Sequence, residues 1–189
     1  MAGLLCVMDR NKLINNITDQ IVEAQIKLGF AEEKMIFYYP LNTLNKLLGE
    51  SFKNIDECVN CCNIVWNDQK GGLGKLLFNN NKNVVGVTVS SEGVKYVYEN
   101  VKPSLFLITL IEKFKNNHHL KVDEIEEVFA KFGEYEKTSV PEDTGFMYAI
   151  WFKDGKSVGD EYVYCINIEM GHTIYHRFTR DDYDGFINR

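Results

Sequence analysis

The chain of 189 residues predicts an α+β fold, with a winged-helix-like N-terminal half followed by helices and a small antiparallel sheet. Three observations carry this. Within the first 66 residues, three segments repeat apolar side chains at steps of three and four, the spacing of one helix face. Two apolar runs joined by the polar "NNNKN" then lead through Ser90-Ser91 into another helical pattern. Beyond residue 133, short apolar runs are separated by the turn dipeptides Asp154-Gly155 and Met170-Gly171, as in an antiparallel sheet.

Taken in order, Asn11 to Leu28 forms an amphipathic helix through Leu13, Ile14, Ile17, Ile21, Ala24 and Leu28, and Gly29 stops it. Met35–Tyr39 is extended and ends at Pro40, since the residue before proline avoids helical angles. Asn42 caps a short helix with Leu44, Leu47 and Leu48 on one face and Gly49 as its stop. Phe52–Trp66 is a third helix, and "DQKGGLGK" is a loop. Lys75–Asn79 and Asn83–Ser90 are the strands of a hairpin whose Asn and Lys residues tolerate turn angles and discourage edge pairing. Ser90 or Ser91 caps the helix Glu92–Asn100. Three helices, a hairpin and a trailing helix follow the order of a winged helix, and a generic α+β domain shares that order.

Pro103 suits a first helical turn, and the helix after it is apolar nearly all round, from Leu105 to Phe114, so it is buried on most sides. The boundary falls at Val101–Lys102, giving a winged-helix-like domain over 9–101 and an α+β domain over 102–189. Asp123–Phe132 is a further helix, with Asp123 and Glu126 at capping-box spacing and Gly133 as its stop. Strands are expected at Glu134–Val140, Phe146–Phe152, Glu161–Glu169 and His172–Phe178. Thr179 caps a last short helix, with Phe178 and Tyr183 at hydrophobic-staple spacing.

Four stretches, "EAQIKLGF", "FYYPLNTLNKLLG", "SSEGVKYVYEN" and "YHRFTRDDYDGF", together resemble an uncharacterised family of low-GC Gram-positive bacteria, a domain of unknown function. The resemblance spans nearly the whole chain. It implies a soluble bacterial protein and carries over no activity, cofactor or catalytic residue.

Apolar residues make up 45% of the chain, enough for a core, and the net charge of −6 argues against general nucleic-acid binding. Residues 1–100 hold ten basic against eleven acidic side chains, and residues 101–189 hold eleven against sixteen. Net charge therefore favours the first half for anion affinity. No run approaches the ~18–20 apolar residues of a membrane span. "MAGLLCVM" lacks the positive start of a secretory signal. The five cysteines, at 6, 58, 61, 62 and 165, are odd in number and fit reduced thiols. These features point to the cytoplasm and away from membranes.

Candidate sites follow from residue chemistry. A winged helix reading DNA would use the Phe52–Trp66 helix, which offers Lys53, Asn54, Asn60 and Asn63 but also Asp56 and Glu57, with no arginine. The 74–90 wing is better supplied, with Lys70 before it, Lys75 at its start and Asn80 and Lys82 at its tip. Cys58, Cys61 and Cys62 share a helix face, but a zinc site needs a second ligand pair, so they read as packing residues. "GGLGK" lacks the spacing and the following Ser/Thr of a phosphate loop. His172 and His176 lie ~13 Å apart along a strand and cannot share one metal ion.

With Met170-Gly171 as a two-residue turn, Cys165 lies opposite His176, beside Asn167 and Glu169, a pairing that a thiol nucleophile would use. A polar sheet face explains the same residues. In that register Tyr162, Tyr164, Tyr175 and Arg177 occupy the other face, and with Tyr148 and Trp151 nearby they line a ligand pocket or bury the sheet. Asp181, Asp182 and Asp184 favour a helix start. No cofactor or metal is called for. The expectation is a non-catalytic binding or regulatory protein. It contacts a protein partner or a small ligand through Tyr164, Tyr175, Arg177 and Trp151. The alternative is a DNA-binding regulator using the wing, and a cysteine-dependent enzyme using Cys165 and His176 comes third.

Overall fold

A computed structural model describes residues 8–29, 33–67 and 72–188. The chain is mixed α+β and divides into two compact units, one through Lys102 and one from Pro103.

In the first unit, α1 (Arg10–Leu28) starts where the Asp9 carboxylate accepts the Lys12 N–H and ends at Gly29 in the left-handed conformation. Its face Leu13, Ile17 and Ile21 is fully buried. β1 (Met35–Tyr39) runs up to Pro40 and α2 (Leu41–Leu48) begins directly after it. Pro40 therefore occupies the cap position, and Asn42 lies inside the helix rather than capping it. The third helix, α3 (Ile55–Val65), is shorter than its apolar pattern predicts. Asn54 caps it by accepting the Glu57 N–H at 2.9 Å, and Phe52 is held outside it by a two-way clamp. The Asn45 amide accepts the Phe52 N–H at 3.1 Å and donates to the Phe52 carbonyl at 3.0 Å.

β2 (Leu77–Asn81) and β3 (Val84–Val89) follow, then α4 (Ser91–Asn100), capped by Ser90. The hairpin turn is tighter than expected. Asn79, Asn80 and Asn81 pair within β2, and only Lys82 and Asn83 make the turn, with Lys82 at φ 59°. All pairing is antiparallel, and the strand order is β1-β3-β2. Gly93 lets α4 approach the 72–76 segment, because a Cβ there would lie 2.3 Å from the Leu73 carbonyl oxygen.

The second unit opens with α5 (Leu105–Asn116). Ser104 is its cap, accepting the Leu107 N–H at 3.1 Å, so Pro103 precedes the cap instead of entering the first turn. In α6 (Val122–Phe132) the Lys121 N–H donates to the Glu124 carboxylate at 3.0 Å, two residues earlier than the Asp123/Glu126 spacing predicts. Then come β4 (Tyr135–Ser139), β5 (Tyr148–Phe152), a single turn α7 (Gly155–Val158), β6 (Val163–Glu169), β7 (His172–Phe178) and α8 (Arg180–Ile187). The sheet is antiparallel in the order β4-β5-β6-β7.

Helices cover both faces of this sheet. On one, Phe152 and Tyr164 meet Phe106 of α5 and Phe129 of α6 at ring distances of 4.6–5.7 Å. On the other, Ala149, Val163 and Cys165 pack with Val140 and Tyr183 of α8. Met170 (φ 50°) and Gly171 (φ 81°) form the β6–β7 turn, and Cys165 pairs with His176. Among the described residues no helix is long and apolar enough to cross a membrane.

Candidate functional site

The α5/α6 side of the second sheet is not sealed along its whole length. Beyond the aromatic core, where α6 begins and the β6–β7 hairpin turns, a groove of about 330 Å³ remains. Leu120, Val122, Met147, Tyr148, Ile166 and Ile168 supply its apolar lining. One wall is built by three bonds between the 118–121 segment and the start of β7. The Thr173 N–H donates to the His118 carbonyl at 2.7 Å, the Thr173 hydroxyl donates to the Leu120 carbonyl at 2.9 Å, and His119 Nδ1 lies 2.7 Å from the Gly171 carbonyl oxygen. A carbonyl only accepts, so this contact puts the His119 proton on Nδ1 and leaves Nε2 for another bond. His172 stacks on His118 at 5.2 Å, yet among the described residues no three His, Cys, Asp or Glu side chains are placed to hold a metal ion.

Tyr148 is one of the lining residues. Its side chain is buried, and its hydroxyl, shut off from solvent, has no hydrogen-bond partner among the described residues. Burial, and then the Glu126 carboxylate, raise this phenol, so it stays a protonated donor across the physiological range. Glu126 is itself engaged, accepting from Lys137 and from the Tyr135 hydroxyl. The Lys137 bond is the first cause holding its carboxyl below the ordinary range. At the rim Lys121 is the lining residue that carries a full charge, and among the described residues no carboxylate pairs with its ammonium.

Residues 10–187 match the family described as "Domain of unknown function, E. rectale Gene description (DUF3877)". The chain belongs to the DUF3877 family. No curated protein and no solved structure matches it.

In this DUF3877 chain the sequence-named ligand residues do not come together. Residues three apart on a strand face opposite ways, so Trp151 lies on the α8 side, under the Arg180 guanidinium at 4.4 Å and beside Tyr183. There it lines a polar cleft of about 420 Å³ with Glu136, Glu161 and Lys153. Tyr164, Tyr175 and Arg177 share the other face but form a buried structural network. The Tyr164 hydroxyl donates to Asp160 Oδ2 at 2.7 Å, and Arg177 Nη2 lies 3.8 Å from the same oxygen. The Arg177 guanidinium stacks 3.9 Å from the Tyr162 ring centre, and the Asp160 carboxylate also accepts the Tyr162 N–H. This network ties residues 160–164 to β7.

Cys165 and His176 are strand partners with unlike surroundings. Burial pushes the Cys165 thiol up to about 12, the opposite of what a thiolate nucleophile requires, while His176 is exposed with its ring against Phe146 at 5.3 Å. Cys58 and Cys62 are buried with their sulfurs 3.9 Å apart, a contact that lowers the Cys58 thiol.

The wing residues are largely bonded within the first unit. Asn80 donates to Asp56 of α3 at 2.7 Å, and Lys75 donates to Asn67 at 2.8 Å. Lys82 is exposed at the turn, and Lys70 lies outside the described residues. Asn63 clamps β2, accepting the Phe78 N–H at 3.0 Å and donating to the Phe78 carbonyl at 2.8 Å. Lys121 escaped sequence reasoning because the Thr173 hydrogen bonds, not spacing along the chain, bring its segment to the groove. The parity of Tyr148 and Trp151 was readable in advance.

Proposed function

We propose that this DUF3877 protein is a non-catalytic binding protein whose second unit holds a small, mainly apolar ligand in the groove beside Tyr148. The carrying observation is an apolar groove with the Lys121 ammonium at its rim, which no carboxylate pairs among the described residues. A mainly apolar pocket with one placed polar group is the usual form of a small-molecule site. The lining holds no thiol or carboxylate, which supports binding over thiol or carboxylate chemistry. We place this activity in the cytoplasm, in keeping with the odd cysteine count and the reduced thiols it suggests.

For the first unit, the order α1-β1-α2-α3-β2-β3-α4 with strand order β1-β3-β2 supports a winged-helix-like reading. Duplex binding by the 74–90 wing has this topology in its favour. Charge weighs against it, because the first turn of α3 carries Asp56 and Glu57. Contact with a protein partner is favoured instead by Ile36, Tyr38 and Leu77, which are exposed on the solvent side of that sheet.

The test is a thermal-shift screen of small aliphatic and aromatic compounds on the full chain. A ligand at a hundred times its Kd adds ~2.7 kcal/mol of stability. Ile168 is half exposed, so Ile168→Asp places a charge on the rim without opening the core. Hits that stabilise the wild type and lose their effect in Ile168→Asp support the groove. Hits indifferent to that change, or no hits, sink it.

A further inference from the structure

We infer that the groove selects an amphiphilic carboxylate: one anionic head on an unbranched apolar body of about eight carbons. This deepens the proposed binding role and rests on it. Size sets the body. A methylene fills roughly the share of a water molecule, ~30 Å³, so about 330 Å³ holds about ten non-hydrogen atoms, too few for a folded peptide segment. Lining chemistry sets the head. Lys121 brings a positive charge to the rim of an otherwise apolar lining, and that charge calls for an anionic acceptor oxygen. The nearest acids do not cancel Lys121. Glu124 is engaged by the Lys121 N–H and by Lys113 at 3.7 Å, and Asp123 accepts the Glu124 N–H. A cationic amphiphile would meet Lys121 with like charge, and a neutral one would leave that ammonium unanswered.

The experiment uses the full chain labelled with ¹³C at its methionine methyl groups. The signal of Met147, half exposed in the groove lining, is assigned from its loss in Met147→Leu. Octanoate, octan-1-ol and octyltrimethylammonium are titrated below their aggregation limits. Octanoate is expected to shift the Met147 methyl and to bind about fivefold tighter than octanol, the factor one rim ion pair supplies. The ammonium probe binds weakest. Lys121→Gln abolishes the preference for octanoate while octanol still shifts Met147. Equal affinity for octanoate and octanol overturns the carboxylate and leaves apolar binding standing. A preference that survives Lys121→Gln overturns it too. If no probe moves Met147, the binding role itself fails.

Discussion

Tyr148→Phe and Tyr164→Phe make the same chemical change on the same face of one sheet, and they should move stability in opposite directions. Both rings are buried, and burial raises both phenols, so neither ionises near neutral pH. The Tyr164 hydroxyl donates to the Asp160 carboxylate at 2.7 Å. Removing a hydrogen bond to a charged group costs ~1.5–3 kcal/mol, and here it also weakens the anchor for Arg177. The Tyr148 hydroxyl makes no such bond. An unsatisfied buried hydroxyl carries a desolvation penalty of ~1–3 kcal/mol, which Phe removes without changing ring shape. Tyr148→Phe should therefore stabilise the second unit by about 1 kcal/mol, while Tyr164→Phe destabilises it by ~2 kcal/mol.

Amide hydrogen exchange in full-length protein is the suitable assay, because peptides from β5 and β6 report the second unit alone. At ~1.4 kcal/mol per factor of ten, their exchange should slow about fivefold in Tyr148→Phe and quicken more than tenfold in Tyr164→Phe. In melting temperature the gain is ~4–8 °C for a unit of this size. A loss of stability in Tyr148→Phe comparable to that in Tyr164→Phe would refute the reasoning, since the hydroxyl would then have an acceptor.

Four further outcomes follow from the structure. Cys165 should react with iodoacetamide far more slowly than a free cysteine at pH 8, since a thiol raised to about 12 is ~10⁻⁴ ionised there and is buried besides; labelling as fast as that of a small-molecule thiol would contradict its core placement. The same raised thiol makes stability constant below the ordinary cysteine range and falling above it. The unfolded state releases that proton from pH ~9 while the folded state holds it to about 12, so Cys165→Ala should flatten the alkaline loss by ~1.4 kcal/mol per pH unit. Gly93→Ala, a change that stabilises most helices, should cost ~1–3 kcal/mol in urea unfolding because its Cβ meets the Leu73 carbonyl. The Lys75→Ala/Lys82→Ala pair should leave duplex DNA affinity within about twofold at low salt; a large loss with a flatter salt slope would restore the wing as a nucleic-acid surface.

Local chemistry made much of the fold legible. Gly171 suits the positive φ of a two-residue turn, in which Met170 also takes φ 50°, and such a turn sets the register of the whole hairpin, including Cys165 opposite His176. Ser90 and Thr179 announce their helices for the same local reason. Boundaries slipped where a more distant group intervened. Phe52 continues the apolar spacing of α3, but Asn45 takes both its backbone groups and Asn54 takes the cap. The candidate site was legible only in its types of residue. Tyr148 and Ile166 are paired across two strands, and Lys121 reaches them because Thr173 fastens the 118–121 segment. No spacing along the chain encodes that meeting.

The asparagines of the first unit show how composition misleads about function. A run of Asn beside Lys suggests side-chain amides offered to base edges and phosphates. Here the amides answer the chain's own backbone. Asn45 closes around Phe52, Asn54 caps α3, and Asn63 takes both polar groups of Phe78 on the edge strand β2. Asn80 spends its N–H on Asp56. An amide so committed must first break a bond worth ~0.5–1.5 kcal/mol before it reads anything else. The clamp at Phe78 also occupies a strand edge that would otherwise recruit another chain. Asn richness in this unit therefore reflects irregular backbone that needs partners.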